Sequence, residues 1–277
     1  MQPAKNTQLF KYYRFDKYGL YAIYNNILWL SNPKYFTDPY DSNLNFLIDN
    51  ETQNGREFRI KAIKETRDNL GVCCFTNTWS DVRMWTEYAA NHTGFCIEYD
   101  LSLYEEVLNN IGLPMILETV HYTDYPYQNT DSNLPKHLED LLDRRDVFNL
   151  TPKELDILTQ GLILTKDRKL YEHEKEVRLI TSSVIADKAG ASNLLHKTEK
   201  GYSAKLPKGC IKAIYFGAKS DAIDESRVLD FLGTIHQGYI KTRWVRLGPM
   251  RGELVADSKP DAEVSDILSG CRIYSNR

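Results

Sequence analysis

A chain of 277 residues with a net charge of −3 and a pI near 6.1 has no broad cationic field, which sets aside sequence-independent binding to duplex phosphate as its main business. Its five cysteines, Cys73, Cys74, Cys96, Cys210 and Cys271, are odd in number and three lie in apolar runs, as expected of small core hydrophobes in a reducing cytoplasm. No spacing suits a structural zinc, "MQPAKNTQLFKYYRF" lacks a signal-peptide core, and no stretch reaches the roughly 20 apolar residues of a membrane span, so a soluble cytoplasmic protein with no membrane partner is expected.

In chain order, "LFKYYRF" (9–15) and "NILWLSNP" (26–33) read as strands, with a short helix of aromatic and aliphatic residues between them. "SNPKYFTDPYD" (31–41) is turn chemistry, and Phe58, Ile60 and Ile63 among charges predict a surface helix over 51–69. "GVCCFTN" (71–77) is a buried strand, "SDVRMWTEYAANH" a helix capped by Ser80, and "TGFCIEYD" (93–100) another strand. Ser102 and Glu105 stand in capping-box register for the next helix, and "ILETVHYTDY" (116–125) returns as strand.

Residues 126–170 read as a mostly helical insertion or lid, with Thr151, Pro152 and Glu154 at N-cap, N1 and N3 of its second helix. After it come "EKEVRLITSSVI", the strand "CIKAIYFGA" (210–218), the helix "IDESRVLDFLGTIH", and a final strand pair in "RWVRLG" and "GELVAD". No composition shift marks a cut. The expectation is one α+β domain over 1–277, carrying the 126–170 insertion.

The chemistry concentrates in "YEHEKEVRLI" (171–180), where a strand would point Glu174, Glu176 and Arg178 to one face. Two carboxylates and a guanidinium there are either a cross-strand ion-pair cluster or a site in which one carboxylate stabilises a developing cation while the other orients a nucleophile. Arg14, preceded by Tyr12 and Tyr13, suits a phosphate with an aromatic ring on a base, or an edge arginine shielding tyrosines. Ser31 could bond a ligand or cap a turn, and the 18 tyrosines suit the walls of a cleft or an ordinary sheet surface.

Asp38 and Asp41 could join Glu98, Asp100 and the paired glutamates as hard-oxygen ligands of a magnesium nuclease, yet Asp-Pro is an ordinary turn starter and the histidines lack ligand spacing, so no metal site is assigned. His92 reads as a helix C-terminal residue. No dinucleotide glycine motif, Walker loop or serine elbow occurs.

Several stretches, "KYYRF", "LWLSNPKYFTDPYDS", "GVCCFTNTWSDVRMWTEYAANHTGFCIEYD" and the late K-x-x-x-L-Y-E-x-E-x-E-V-R-L with Lys166, Glu174, Glu176 and Arg178, resemble a bacterial domain-of-unknown-function family, number twenty-nine seventy-one. More distantly, the order of Arg14, Ser31 and Glu174 with Glu176 resembles the ADP-ribosyltransferase superfamily. That resemblance implies small, mostly antiparallel sheets around a cleft that binds NAD. Tyr12, Tyr13, Arg14, Ser31, Tyr88 and Arg178 would then hold the cofactor and tune the carboxylates; Tyr35 or Tyr88 would supply the wall if Ser31 does not. Glu176 would stabilise an oxocarbenium-like ribose and Glu174 would orient the acceptor.

The expected function is therefore NAD-dependent ADP-ribosyl transfer to a protein or nucleic-acid acceptor, as a toxin or phage-defence effector with a cognate inhibitor or defence partner. The rival is a non-enzymatic sensor or partner-binding protein of a defence system; a metal-dependent nuclease stands third.

Overall fold

A computed structural model describes residues 8–38, 41, 64–65, 67–123, 163–187, 190–235 and 240–258. Most of the helix expected over 51–69 and of the insertion expected over 126–170 lies outside the described residues.

The elements in chain order are β1 (Leu9–Tyr13), α1 (Lys17–Asn25), β2 (Ile27–Ser31), β3 (Leu70–Thr76), α2 (Val82–Tyr88), β4 (Phe95–Tyr99), α3 (Ser102–Asn110), β5 (Ile116–Thr119), β6 (His121–Thr123) and β7 (Thr165–Asp167). They continue with α4 (Arg168–Tyr171), β8 (Glu176–Ser182), α5 (Ser183–Ala186), β9 (Leu195–Thr198), β10 (Gly201–Lys205), β11 (Ile211–Phe216), α6 (Ala222–Ile235), β12 (Lys241–Leu247) and β13 (Leu254–Asp257). The architecture is α+β with mostly antiparallel pairing.

The chain divides into two compact units, each built from separated stretches. One takes residues 1–7, 25–77 and 101–207. Within it the strands follow the order β5-β8-β3-β2-β10-β9, all neighbours antiparallel, while β6 and β7 pair in parallel beside them. β8 is flanked by β3 and β5, and its burial on both faces suits the apolar Val177, Leu179 and Ile180. Leu70, Val72, Ile163, Leu164 and Ile180 form an apolar cluster, with Phe36, Cys74 and Ile116 packed against it.

The other unit takes residues 8–24, 78–100 and 208–277, and orders its strands β13-β12-β11-β4-β1. Only β11 and β12 run parallel, and α6 makes that crossover. Phe10, Tyr12, Met84, Trp85, Cys96, Tyr215 and Val245 are among its core residues.

Local chemistry departs from expectation at three points. Asp81, not Ser80, caps α2, its carboxylate accepting from the N–H groups of Arg83 and Met84. α3 has no side-chain cap: Leu101 occupies the N-cap position and Ser102 is already helical. Thr165–Asp167, expected within the helical insertion, is strand, because Thr165 pairs with His121 and Asp167 with Thr123. The hairpin β9–β10, which the sequence reading leaves unassigned, turns through Thr198 and Gly201; the Thr198 hydroxyl donates to the Gly201 carbonyl and Gly201 holds φ 147°.

Candidate functional site

The signal in "YEHEKEVRLI" resolves into a turn followed by a strand. Glu172–Glu174 form a 3-10 turn, Lys175 sits left-handed at φ 45°, and β8 starts at Glu176. Glu174 is thus not on the strand, yet the turn brings its carboxylate back to that of Glu176, since both accept from one ammonium. Lys166 Nζ donates to Glu174 Oε2 at 2.6 Å and to Glu176 Oε2 at 3.1 Å.

Arg178 lies on the Glu176 side of β8, two residues on. Its Nε donates to Glu176 Oε1 at 2.8 Å and its Nη2 to Glu176 Oε2 at 3.0 Å. Asp41 meets the same guanidinium fork-to-fork, with Nη1 to Oδ1 at 2.9 Å and Nη2 to Oδ2 at 2.7 Å, and Nη1 also donates to the Ile163 carbonyl. Lys166 Nζ stands 3.7 Å from Asp41 Oδ2. Asp41, Glu174 and Glu176 thus share the two cations Lys166 and Arg178.

The group is buried: Glu174 and Glu176 are each 3% exposed and Arg178 is fully enclosed. Charges so removed from water persist only when every partner is close and hydrogen-bonded. Burial by itself would raise the Glu176 pKa, but Arg178 and Lys166 outweigh it and hold the carboxyl down at about 2. Burial opposes the charge of Arg178 and Lys166 as well; the carboxylates of Glu176 and Asp41, and of Glu176 and Glu174 respectively, overcome it and keep both cations protonated above their ordinary range.

Aromatic groups frame the charges. The Lys166 ammonium lies 4.4 Å from the Tyr171 ring centroid, and the Arg178 guanidinium 5.6 Å from that of Phe36. Burial and a hydrogen bond to Asp38 push the Tyr171 phenol up to about 12. The Tyr122 oxygen accepts from the Glu176 N–H at 2.8 Å, fixing the first residue of β8. Burial raises the Tyr122 pKa, so the phenol stays protonated.

Of the residues predicted from sequence, Glu174, Glu176 and Arg178 come together, and Ser31 belongs to the same unit, at the end of β2 opposite Val72 and Gly201. Tyr12, Tyr13, Arg14 and Tyr88 belong to the other unit. Tyr12 is a core residue there, edge-on to Trp85 with centroids 5.1 Å apart, its hydroxyl donating to the Thr78 carbonyl at 3.1 Å. Tyr13 stacks on Phe95 and shares a hydrogen bond with Tyr99, while Arg14 is exposed just past β1 and Tyr88 is 43% exposed at the end of α2. His92 lies beyond that helix at φ 70°, in a left-handed run that begins at Ala90 (φ 50°) and Asn91 (φ 55°).

Sequence reasoning gave no role to Lys166, Tyr122 or Tyr171, and placed Asp41 only among metal ligands. The signal for Lys166 was present in K-x-x-x-L-Y-E. Asp41 does reach the paired glutamates, through the two cations.

These features define an α+β protein with a buried carboxylate-cation centre on an antiparallel sheet. Residues 84–179 match the model of a family described as protein of unknown function (DUF2971), so the resemblance to that family holds over this span. The span contains Lys166, Glu174, Glu176 and Arg178, whereas Asp41 precedes it. No curated protein and no solved structure matches the chain. The resemblance to ADP-ribosyltransferases therefore rests on residue order alone.

Proposed function

We propose that the chain transfers ADP-ribose from NAD to a macromolecular acceptor, protein or nucleic acid, as a toxin or phage-defence effector, with Glu176 as the catalytic carboxylate. The observation that favours this reading is a carboxylate held ionised, with a pKa of about 2, at the fixed start of a strand, and a second carboxylate joined to it through Lys166. In the reaction the bond from ribose C1′ to nicotinamide breaks and nicotinamide leaves with the electron pair. A pre-set anion stabilises the resulting oxocarbenium ion without reorganising. Glu176 would accept a hydrogen bond from the ribose 2′-hydroxyl, and Glu174 would orient the acceptor and take its proton as the new bond to C1′ forms.

A different observation favours a second reading, a non-enzymatic sensor or partner-binding protein of a defence system. Glu176 already accepts from Arg178 on both oxygens and from Lys166 on one, as a purely structural cluster would require.

The test is nicotinamide release from labelled NAD, with and without bacterial lysate, for wild type, Glu176→Gln and Glu174→Gln. Release that disappears in a folded Glu176→Gln protein supports the transferase. If wild type neither releases nicotinamide nor binds NAD, the second reading stands; a magnesium-dependent cleavage of nucleic acid would instead favour a nuclease.

A further inference from the structure

We propose that the Arg178 guanidinium, backed by Lys166, is a receptor for a singly charged phosphate, and that Asp41 fills it as an internal stand-in that keeps the site closed. The proposal rests on reading the cluster as a dinucleotide-using site, and deepens it by naming the group bound and the contact that restrains it.

Four of the five charges lie within residues 166–178 and balance: Lys166 and Arg178 against Glu174 and Glu176. Asp41 arrives from 137 residues away and adds a further negative charge to that set. Its departure would remove one acceptor from each Arg178 Nη atom in a fully enclosed position. An unsatisfied buried guanidinium is costly, so the vacated place calls for another anion of similar shape.

The fork of two parallel N–H···O bonds, at 2.9 and 2.7 Å, fits two oxygens of a phosphate as well as two of a carboxylate. Charge selects among phosphates. A phosphodiester, or one phosphorus of a pyrophosphate diester, carries a single negative charge and exchanges for Asp41 without changing the total; a dianionic monoester would add a second negative charge to a buried site. Lys166 Nζ, 3.7 Å from Oδ2, is too far to hydrogen-bond Asp41 and near enough to attract a bulkier group.

The experiment measures melting temperature against dimethyl phosphate, with potassium chloride at equal ionic strength as reference and acetate as the carboxylate probe. Asp41→Ala should gain a dimethyl phosphate-dependent rise that wild type shows only at roughly tenfold higher concentration. Adding Arg178→Lys to Asp41→Ala should abolish it. A folded Asp41→Ala protein that responds no more to dimethyl phosphate than to chloride, or only to acetate, overturns the proposal. Should Asp41→Ala not fold, the wild-type Asp41 amide, bonded to the Asp38 carbonyl at 3.2 Å, gives the answer. ADP-ribose should speed its hydrogen exchange while leaving that of Arg178 slow; unchanged exchange overturns the proposal. Phosphate binding without nicotinamide release would leave the receptor standing and sink the transferase. Nicotinamide release with no phosphate response would do the reverse.

Discussion

Glu176 is where burial and pairing meet most sharply, and its depressed pKa has a definite sign in stability. A carboxyl near 2 in the folded chain and near its ordinary value when unfolded contributes stability that is fully present above the unfolded value, and that stability is lost as pH falls through about 2. Urea denaturation from pH 6 down to pH 2 should therefore show a steep acid limb that Glu176→Gln flattens. At neutral pH the same substitution strands Arg178 and Lys166 beside one acceptor fewer; loss of one partner of a buried pair costs about 3–5 kcal/mol. A change under about 1 kcal/mol would mean that water reaches the cluster and screens it.

The element scale is governed by places where backbone passes close to backbone. After α2, three consecutive residues, Ala90, Asn91 and His92, are left-handed, and Gly94 follows where an added Cβ would lie 2.1 Å from the Tyr13 carbonyl oxygen and 3.0 Å from that of Ala89. The turn is held by N–H bonds from Gly94 to the Ala89 carbonyl and from Lys219 to the His92 carbonyl, each 2.9 Å. Alanine tolerates the left-handed region poorly, at a cost of roughly 1–2 kcal/mol. Ala90→Gly should accordingly raise the melting temperature, by an amount equivalent to about 0.5–1 kcal/mol after the added freedom of the unfolded chain is set against it. Gly94→Ala should lower it by more than about 2 kcal/mol, since neither carbonyl can move without opening β1 or α2. Equal melting temperatures for Ala90→Gly and wild type would show that the turn's hydrogen bonds absorb the strain.

This stretch also shows what sequence could and could not tell. In "MWTEYAANHTGF" the helix and the strand read correctly, because helical spacing and an apolar run are local patterns, but the helix expected to run to His92 ends at Tyr88 and gives way to the left-handed turn. The cap was misplaced by one residue because Ser80 and Asp81 are both good capping types, and only the geometry of the Arg83 and Met84 N–H groups chooses between them.

At the scale of the whole molecule, neither unit is a continuous piece of chain. β8, which carries Glu176 and Arg178, finds β5 within residues 101–207, but its other neighbour β3 lies before residue 77, and β10 depends likewise on β2. A fragment of residues 101–207 should therefore show no cooperative unfolding by circular dichroism, while the full chain does. A cooperative transition in that fragment would mean that β5, β8 and the β9–β10 hairpin suffice. Such long-separation pairing also makes slow folding the expectation, because loop closure precedes the contacts that reward it.

By itself the sequence determined the α+β class, the placing of most described strands and helices, and the gathering of Glu174, Glu176 and Arg178. The class and the elements follow from side-chain periodicity, which acts within a few residues; Glu174 was expected on the strand face and instead meets Glu176 through the turn at Lys175. Only the tertiary structure decided that Asp41 completes the cluster across 137 residues, that Lys166 bridges the two glutamates, and that the charges are enclosed. The reason is physical: burial and strand partnership belong to pairs of segments distant in the chain. A carboxylate's meaning is set by what surrounds it more than by the residues beside it.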